Sequence, residues 1–403
     1  VFLTRDSSEA ADYSDAMKDS SGNTFTSPLA ISEYERQMIA LAKAHSNGKV
    51  IVLLNTDSPM EVEELKQDPD IDAILWTGLP GMYGFEGVAD VLVGNTAPSG
   101  RMVDTYAVSV KSAPAMVNYD IAVYENSSLA AGSPLIADNL ADWYMVESEG
   151  IYAGYKYYET RYEDSVLGQG NATAAEGSIN GEAWNYANEV SYPFGYVMSY
   201  TTFTQELVSV DVQVGGTSTA VVKVTNTGDV AGKEVVELYV QAPYAQGGLE
   251  KAAIQLVNFG KTGVLEPGAS EEVTIEFEAQ YFASYDENLV KADGTAGAWV
   301  LDEGDYYFTV GNGAHEAVNN VLAKKLGVAA AQPETANDED AESTGDAFAD
   351  AGLITINDAE TISPDNVVVV ALSQDSETYS ANVQNQLQDM DINNLIEGTV
   401  EYT

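Results

Sequence analysis

The 403-residue chain carries 63 acidic against 17 basic side chains, a net charge of −46, so its surface repels nucleic-acid phosphates and anionic lipid and suits a neutral ligand. It has no cysteine and two histidines, His45 and His315, which removes disulfides and thiolate chemistry and argues against a His-based zinc centre or a Ser-His-Asp triad. A hydrophobic fraction of 45%, with no apolar run near the roughly 18–20 residues that cross a bilayer, predicts two or three soluble globular domains.

Val1–Arg5 reads as a strand entered partway, with neither an initiator Met nor a signal-peptide profile, and suggests a fragment or processed product. The spacing of Tyr34, Met38, Ile39 and Leu41 predicts a helix over Ile31–Ala44 with Ser32 as N-cap. Lys49–Asn55 is a continuous apolar run, the signature of a parallel strand covered on both faces. A short helix is expected over Met60–Gln67, with Pro59 near its first position, then a strand over Ala73–Thr77. A Gly-rich turn over Gly78–Gly87 and a helix through Ala89–Leu92 follow. Together these make residues 1–110 an α/β layer.

Residues 111–202 read as an irregular, aromatic-rich connecting segment, with Trp143, Tyr144, Tyr152, Tyr155, Tyr157, Tyr158 and Tyr162 crowded together. His315 falls in a late loop on this reading. Between 203 and 325 the texture changes to alternating runs: Leu207–Val214, Thr219–Asn226, Lys233–Gln241, Gln255–Lys261, Glu271–Glu278 and Asp305–Val310. Such closely spaced runs with Asn226-Thr227-Gly228 and Glu266-Pro267-Gly268 turns predict an antiparallel β-sandwich. Residues 326–403 form an acidic linker, densest over Pro333–Asp350, and a tail with strand-like runs at Leu353–Ile356 and Asn366–Leu372. The fold class is therefore α/β plus all-β.

Several blocks, in order, carry a resemblance. They are Lys49–Asn55 with Ser58-Pro59-Met60-Glu61; Asp72–Trp76 with Gly78-Leu79-Pro80-Gly81; and Ala89-Asp90-Val91-Leu92 with Pro98-Ser99-Gly100-Arg101. Downstream come Glu149-Gly150-Ile151-Tyr152 with Gly154–Glu159, Tyr192–Tyr196 with Ser199–Phe203, and Val224–Gly228, Gly232–Val236 and Leu265–Gly268. Together they resemble glycoside hydrolase family 3, the β-glucosidase-like family, in its α/β domain and fibronectin type III-like sandwich. Val197 stands where the family usually has Gly after Gly195-Tyr196.

A retaining glycosidase needs two carboxyl groups about 5–5.5 Å apart, one the nucleophile and one acting as acid then base. The resemblance implies an Asp nucleophile on a (β/α)8 barrel, and too few βα units are present here to build one. It implies an acid/base Glu on a loop of the α/β domain, and Thr4–Asp12 occupies that place. Glu9 is then the acid/base candidate, with Asp12 a secondary substrate contact; Ser8 and Ala10 replace the flanking glycines of the usual pattern. Such a proton donor needs a raised pKa, supplied by partial burial and the barrel carboxylate. The partners implied are a β-glycoside and the barrel in cis, and some bacterial members place that barrel after these domains. No metal or organic cofactor is called for.

Other features have plainer readings. Gly78, Gly81, Gly84 and Gly87 match neither phosphate-loop nor dinucleotide fingerprints and serve turns and close packing. Arg101 reads as a structural ion-pair former, the aromatic run as an inter-domain seam, and Asp57, Glu61 and Asp90 as helix-cap or first-turn residues. Asn126 and Asn171 begin glycosylation sequons by pattern. The compartment is not fixed, with an extracytoplasmic placement favoured over a cytoplasmic one. The alternative function is a non-catalytic carbohydrate-binding or adhesion module on the sandwich, or a sandwich that only buttresses its neighbour.

Overall fold

A computed structural model describes residues 1–5, 27–117, 149–169, 172–175, 177–244, 248–290, 294, 296–329, 347–357 and 360–372. The first layer is a parallel sheet of β1 (Phe2–Thr4), β2 (Ile51–Asn55) and β3 (Ala73–Trp76), in that order, with Phe2 opposite Leu53 and Ile51 opposite Ala73. Val52, Leu53 and Leu54 are all buried, as an apolar strand covered on both faces requires. Helix α1 (Glu33–His45) links β1 to β2 and starts at a capping box: the Ser32 hydroxyl accepts from the Glu35 amide while the Glu35 carboxylate accepts from the Ser32 amide.

Of the residues expected to bury α1, only Ile39 does so; Tyr34, Met38 and Leu41 face outward. The inward stripe runs through Glu35, Ile39 and Lys43, whose charged members are paired with Arg5 and Asp68. The face of α1 turned to the sheet is therefore ion-paired on either side of one apolar residue, instead of an apolar stripe. Helix α2 (Glu63–Lys66) begins four residues after Pro59, which is not its first position. Helix α3 spans Gly81–Leu92, so the turn expected over Gly78–Gly87 is mostly helix. Left-handed backbone is confined there to Gly78 and Gly81, while Gly84 leaves room for the Pro80 ring.

A short antiparallel pair, β4 (Tyr106–Ala107) and β5 (Val190–Tyr192), leads toward the sandwich. Between them lie α4 (Pro114–Val117), α5 (Tyr155–Leu167) and α6 (Tyr186–Glu189). The segment expected to be irregular thus contains a 13-residue helix, closed by Gly168 in the left-handed conformation. Residues 157–164 of α5 are all buried, so no amphipathic period marks it in the sequence.

The sandwich has one sheet ordered β10-β7-β6 and a second ordered β14-β13-β8-β9. Its strands are β6 (Phe203–Asp211), β7 (Thr217–Asn226), β8 (Val235–Gln241), β9 (Gln255–Lys261), β10 (Ser270–Glu278), β13 (Gly304–Val310) and β14 (Val367–Leu372). A hairpin of β11 (Ser284–Val290) and β12 (Ala296–Val300) branches off between β10 and β13 and was not legible as alternation. Val222, Val224, Leu238, Val240, Ile275 and Phe308 fill the inter-sheet core. The tail strand β14 is an edge of the sandwich, with Thr309 opposite Val367. Leu353–Ile356, expected as another strand, is a coil that buries Leu353 behind α8 (Ala347–Asp350).

Helix α7 (Ala314–Leu326) follows β13, and its first ten residues are all buried. His315 is therefore in a helix, not a loop. A helix enclosed on every side shows no polar stripe for a sequence reading to find.

Candidate active-site edge

In an open parallel sheet, ligands approach the carboxyl ends of the strands. Here those ends are Thr4, Asn55 and Trp76. Arg5 directly follows β1 and reaches across to the returning chain. Its Nε donates to Pro28 O at 2.7 Å, one terminal nitrogen donates to Ala30 O at 2.7 Å, and the fork holds Glu35 at 2.6 and 3.0 Å. Burial opposes ionisation of Glu35, but the Arg5 and Ser32 hydrogen bonds outweigh it and hold the carboxyl below its ordinary value. The Ser27 hydroxyl accepts from the Leu29 amide at 3.2 Å and completes the turn. Arg5 thus ties the end of β1 to residues 28, 30 and 35, which lie beyond residues 6–26 in the chain. Glu9 and Asp12 fall among residues 6–26, outside the described residues; Asn126, Trp143, Tyr144 and Asn171, elsewhere in the chain, are outside them too. The sequence reading missed Arg5, because its partners lie 23 to 30 residues away in the chain and only the fold brings them to it.

Along the free edge of β3 runs a groove of about 440 Å³, lined by Trp76, Thr77, Met102, Tyr196, Val197 and Met198. The Trp76 indole is fixed by donating to Thr56 O at 2.7 Å, and the Thr77 hydroxyl donates to Leu54 O at 3.1 Å. Val197, the departure from the expected Gly, is one wall of this groove.

Arg101 is the structural residue anticipated. It donates to Val235 O at 2.9 Å, Gly195 O at 2.8 Å and the Asn312 side chain at 2.9 Å, and pairs with Glu234 at 2.5 Å. Those bonds tie the α/β layer to the sandwich. Asp57, Glu61 and Asp90 are not helix caps: Glu61 accepts from the Val110 amide at 2.9 Å, Asp90 from the Asn95 side chain at 3.0 Å, and Asp57 from the Ser58 hydroxyl at 3.3 Å. Each braces a turn or a segment far off in sequence. The aromatics of α5 pack the inter-domain seam, with Tyr155 stacked on Phe194 at 4.6 Å.

A second titratable cluster lies in that seam. His315 Nδ1 meets Glu159 at 2.9 Å and Nε2 meets Ile354 O at 2.9 Å. Tyr186 stacks on the imidazole at 3.8 Å and donates to the same carboxylate at 2.5 Å. Burial disfavours the charged imidazole, yet the Glu159 carboxylate overrides it and raises the His315 pKa. Burial pushes Glu189 and Glu316 up to about 7. His315 and Glu159 are 0% exposed, and Glu189 and Glu316 are 0% and 7% exposed, so the cluster is closed to solvent and packs the seam. Raised carboxyl pKa values arise here from burial, as they do in structural clusters.

Residues 1–200 match the glycosyl hydrolase family 3 C-terminal domain and residues 234–314 match a fibronectin type III-like domain. The chain belongs to glycosyl hydrolase family 3. It is 32% identical over 298 residues to beta-glucosidase A of Butyrivibrio fibrisolvens, covering 70% of this chain and 30% of that protein. It is 27% identical to an exo-alpha-(1->6)-L-arabinopyranosidase of Bifidobacterium longum, across 72% of this chain and 31% of that protein. Among solved structures, a beta-glucosidase from Paenibacillus barengoltzii superposes with a TM-score of 0.57 at 30% identity, over 77% of this chain and 28% of that one. The match spans between 20% and 31% of the length of the curated relatives. The described residues contain a three-stranded parallel sheet and no (β/α)8 barrel, and none of their helices is long and apolar enough to cross a membrane.

Proposed function

We propose that this chain supplies the acid/base loop and a stabilising sandwich to a retaining β-glycosidase that hydrolyses β-glucoside-like substrates. Glu9 is the proton donor and later the base, Asp12 contacts the sugar, and the Asp nucleophile belongs to a barrel domain of the same protein. The observation that carries this reading is the Arg5 clamp. It joins residue 5, at the carboxyl end of β1, to residues 28, 30 and 35, which follow the stretch bearing Glu9 in a family 3 C-terminal domain, and this supports a loop leaving and returning at that edge. Protonation of the leaving oxygen by Glu9 and attack by the nucleophile would give a glycosyl-enzyme, which water activated by Glu9 then hydrolyses.

The barrel also accounts for the apolar surface of α3. No residue of this helix is buried, and Met82 and Tyr83 are 87% and 78% exposed. Phe2 packs edge-on to Phe85 at 6.0 Å and extends the patch onto the sheet face. A covering domain would remove it from water. The test is hydrolysis of an aryl β-glucoside. The 403-residue chain alone should be inert, whereas a protein that also carries the barrel should turn over and lose that turnover on Glu9→Gln. Azide should restore cleavage to Glu9→Ala; failure to do so would remove Glu9 from the mechanism.

A further inference from the structure

The β11–β12 hairpin presents two aromatic rings that the glycosidase reading does not use. Tyr285 and Trp299 are directly opposite in register, 53% and 66% exposed, with ring centroids 5.4 Å apart at 64°. Gly297 lies two residues before Trp299, on the same strand face. Its φ is +84°, and a Cβ there would run into the Tyr285 ring. Glycine therefore lets Tyr285 lie flat across the hairpin, and Trp299 stands beside it. These rings add little to the core, and two exposed aromatics in one place form the kind of patch that marks a binding surface.

The rings flank a groove of about 490 Å³ that runs from the hairpin to the foot of α5. Phe282, 3% exposed, contributes apolar lining. Gln280, Glu250 and Lys156 contribute polar lining. Tyr152 donates its hydroxyl to Glu250 and so fixes that carboxylate. The Lys156 ammonium meets no acceptor among the described residues, and burial lowers its pKa. A partly desolvated donor facing a cavity is a group a ligand can satisfy.

Flat apolar faces beside fixed donors and acceptors match a pyranose ring. Its C–H face packs on an aromatic face, and its equatorial hydroxyls point sideways to polar groups. A net charge of −46 disfavours polyanions. We propose that this groove binds a neutral oligosaccharide of β-linked pyranoses, stacked on Trp299 and Tyr285 and hydrogen-bonded by Lys156 and Glu250.

The test titrates the full 403-residue chain with cellotetraose, read by calorimetry and by tryptophan emission. Saturable binding is expected at a Kd of about 1 mM or tighter. Trp299→Ala should weaken it about tenfold and Lys156→Met about threefold, with melting temperature not lowered, since Trp299 is 66% exposed and the Lys156 ammonium has no partner among the described residues to lose. Tyr83→Ala, at a still more exposed aromatic on α3, should bind as the parent does. Absence of saturation at about 10 mM, or equal binding by folded Trp299→Ala, overturns the proposal. If Trp299→Ala does not fold, Lys156→Met decides: parent-like affinity overturns the site. The readout is binding, so a failure of Glu9 in catalysis leaves this result untouched.

Discussion

The α/β layer and the sandwich with its helical seam handle apolar and charged surface in opposite ways. In the seam, α7 buries its first ten residues, and Glu159, Arg161 and His315 are sealed at 0% exposure among matched partners. In the α/β layer, α3 buries none, α1 turns Tyr34 and Leu41 outward, and the Arg36–Glu64 and Lys49–Asp72 pairs stand in water. A region that encloses its own charges gains stability from being unbroken; one that leaves apolar helices bare is built to be covered. Substitutions can break that contrast, beginning with the junction between the two regions.

Arg101→Ala should have the largest effect. It would strand the Glu234 carboxylate, 6% exposed, and free the Val235, Gly195 and Asn312 acceptors. A loss of about 3–5 kcal/mol in chemical denaturation is expected. Arg101→Ala and Glu234→Ala together should cost less than the sum of the single changes. Additivity would mean the two side chains act independently.

The seam should also respond to pH. Glu316 has a folded pKa of about 7 against an ordinary 4.5, chiefly through burial, and it accepts from the Thr361 amide at 3.0 Å. Folding therefore raises its proton affinity. The stability it contributes is complete below about pH 4.5 and is lost as pH rises through about 7. Glu189 and His315, also raised on folding, act in the same direction, His315 from a higher starting value. Self-repulsion of the acidic chain adds to the trend. The melting temperature should fall between pH 5 and 8, and Glu316→Gln should remove roughly 2 kcal/mol of the slope. A slope unchanged by Glu316→Gln would leave net charge as its whole cause.

How much of this was legible in the sequence follows the same division. The strand Ser270–Glu278 alternates between buried and exposed residues and was read to within one residue of its observed limits. Ser32 was read as the N-cap of α1, and the structure adds Glu35 as its capping-box partner. What escaped has an identifiable cause. Helices α5 and α7 are buried all round, so burial erased the period that would reveal them. Glycines 81, 84 and 87 read as a turn, yet they lie in a helix whose context overrides propensity. Glu9 came from family likeness alone, whereas Arg5 emerges only when residues 5, 28, 30 and 35 are placed together.

Arg5→Met tests whether that clamp positions the loop. Losing a partly buried pair with Glu35 should cost the chain about 1–2 kcal/mol. In the barrel-bearing protein it should lower kcat about tenfold with KM little changed, because binding groups stay in place while the proton donor is misplaced. A merely structural Arg5 would lower the melting temperature and leave kcat alone. Arg5→Lys should recover less than half of the lost rate, since an ammonium cannot serve Pro28, Ala30 and Glu35 as a fork does.

The smallest effect on this chain is expected at the bare helix. Met82→Gln and Tyr83→Gln replace side chains that are 87% and 78% exposed, so stability should change by no more than about 0.5 kcal/mol. Exposure gives water the contact that packing would otherwise provide, so little apolar burial is there to lose. If a barrel covers α3, the same pair in the longer protein should cost about 1–3 kcal/mol by denaturation, because each polar group would then be buried without a partner. The difference between the two measurements is the informative quantity. A null effect in both would leave α3 uncovered and take away the surface offered here as the barrel's seat, while the Arg5 and Glu9 tests would stand on their own.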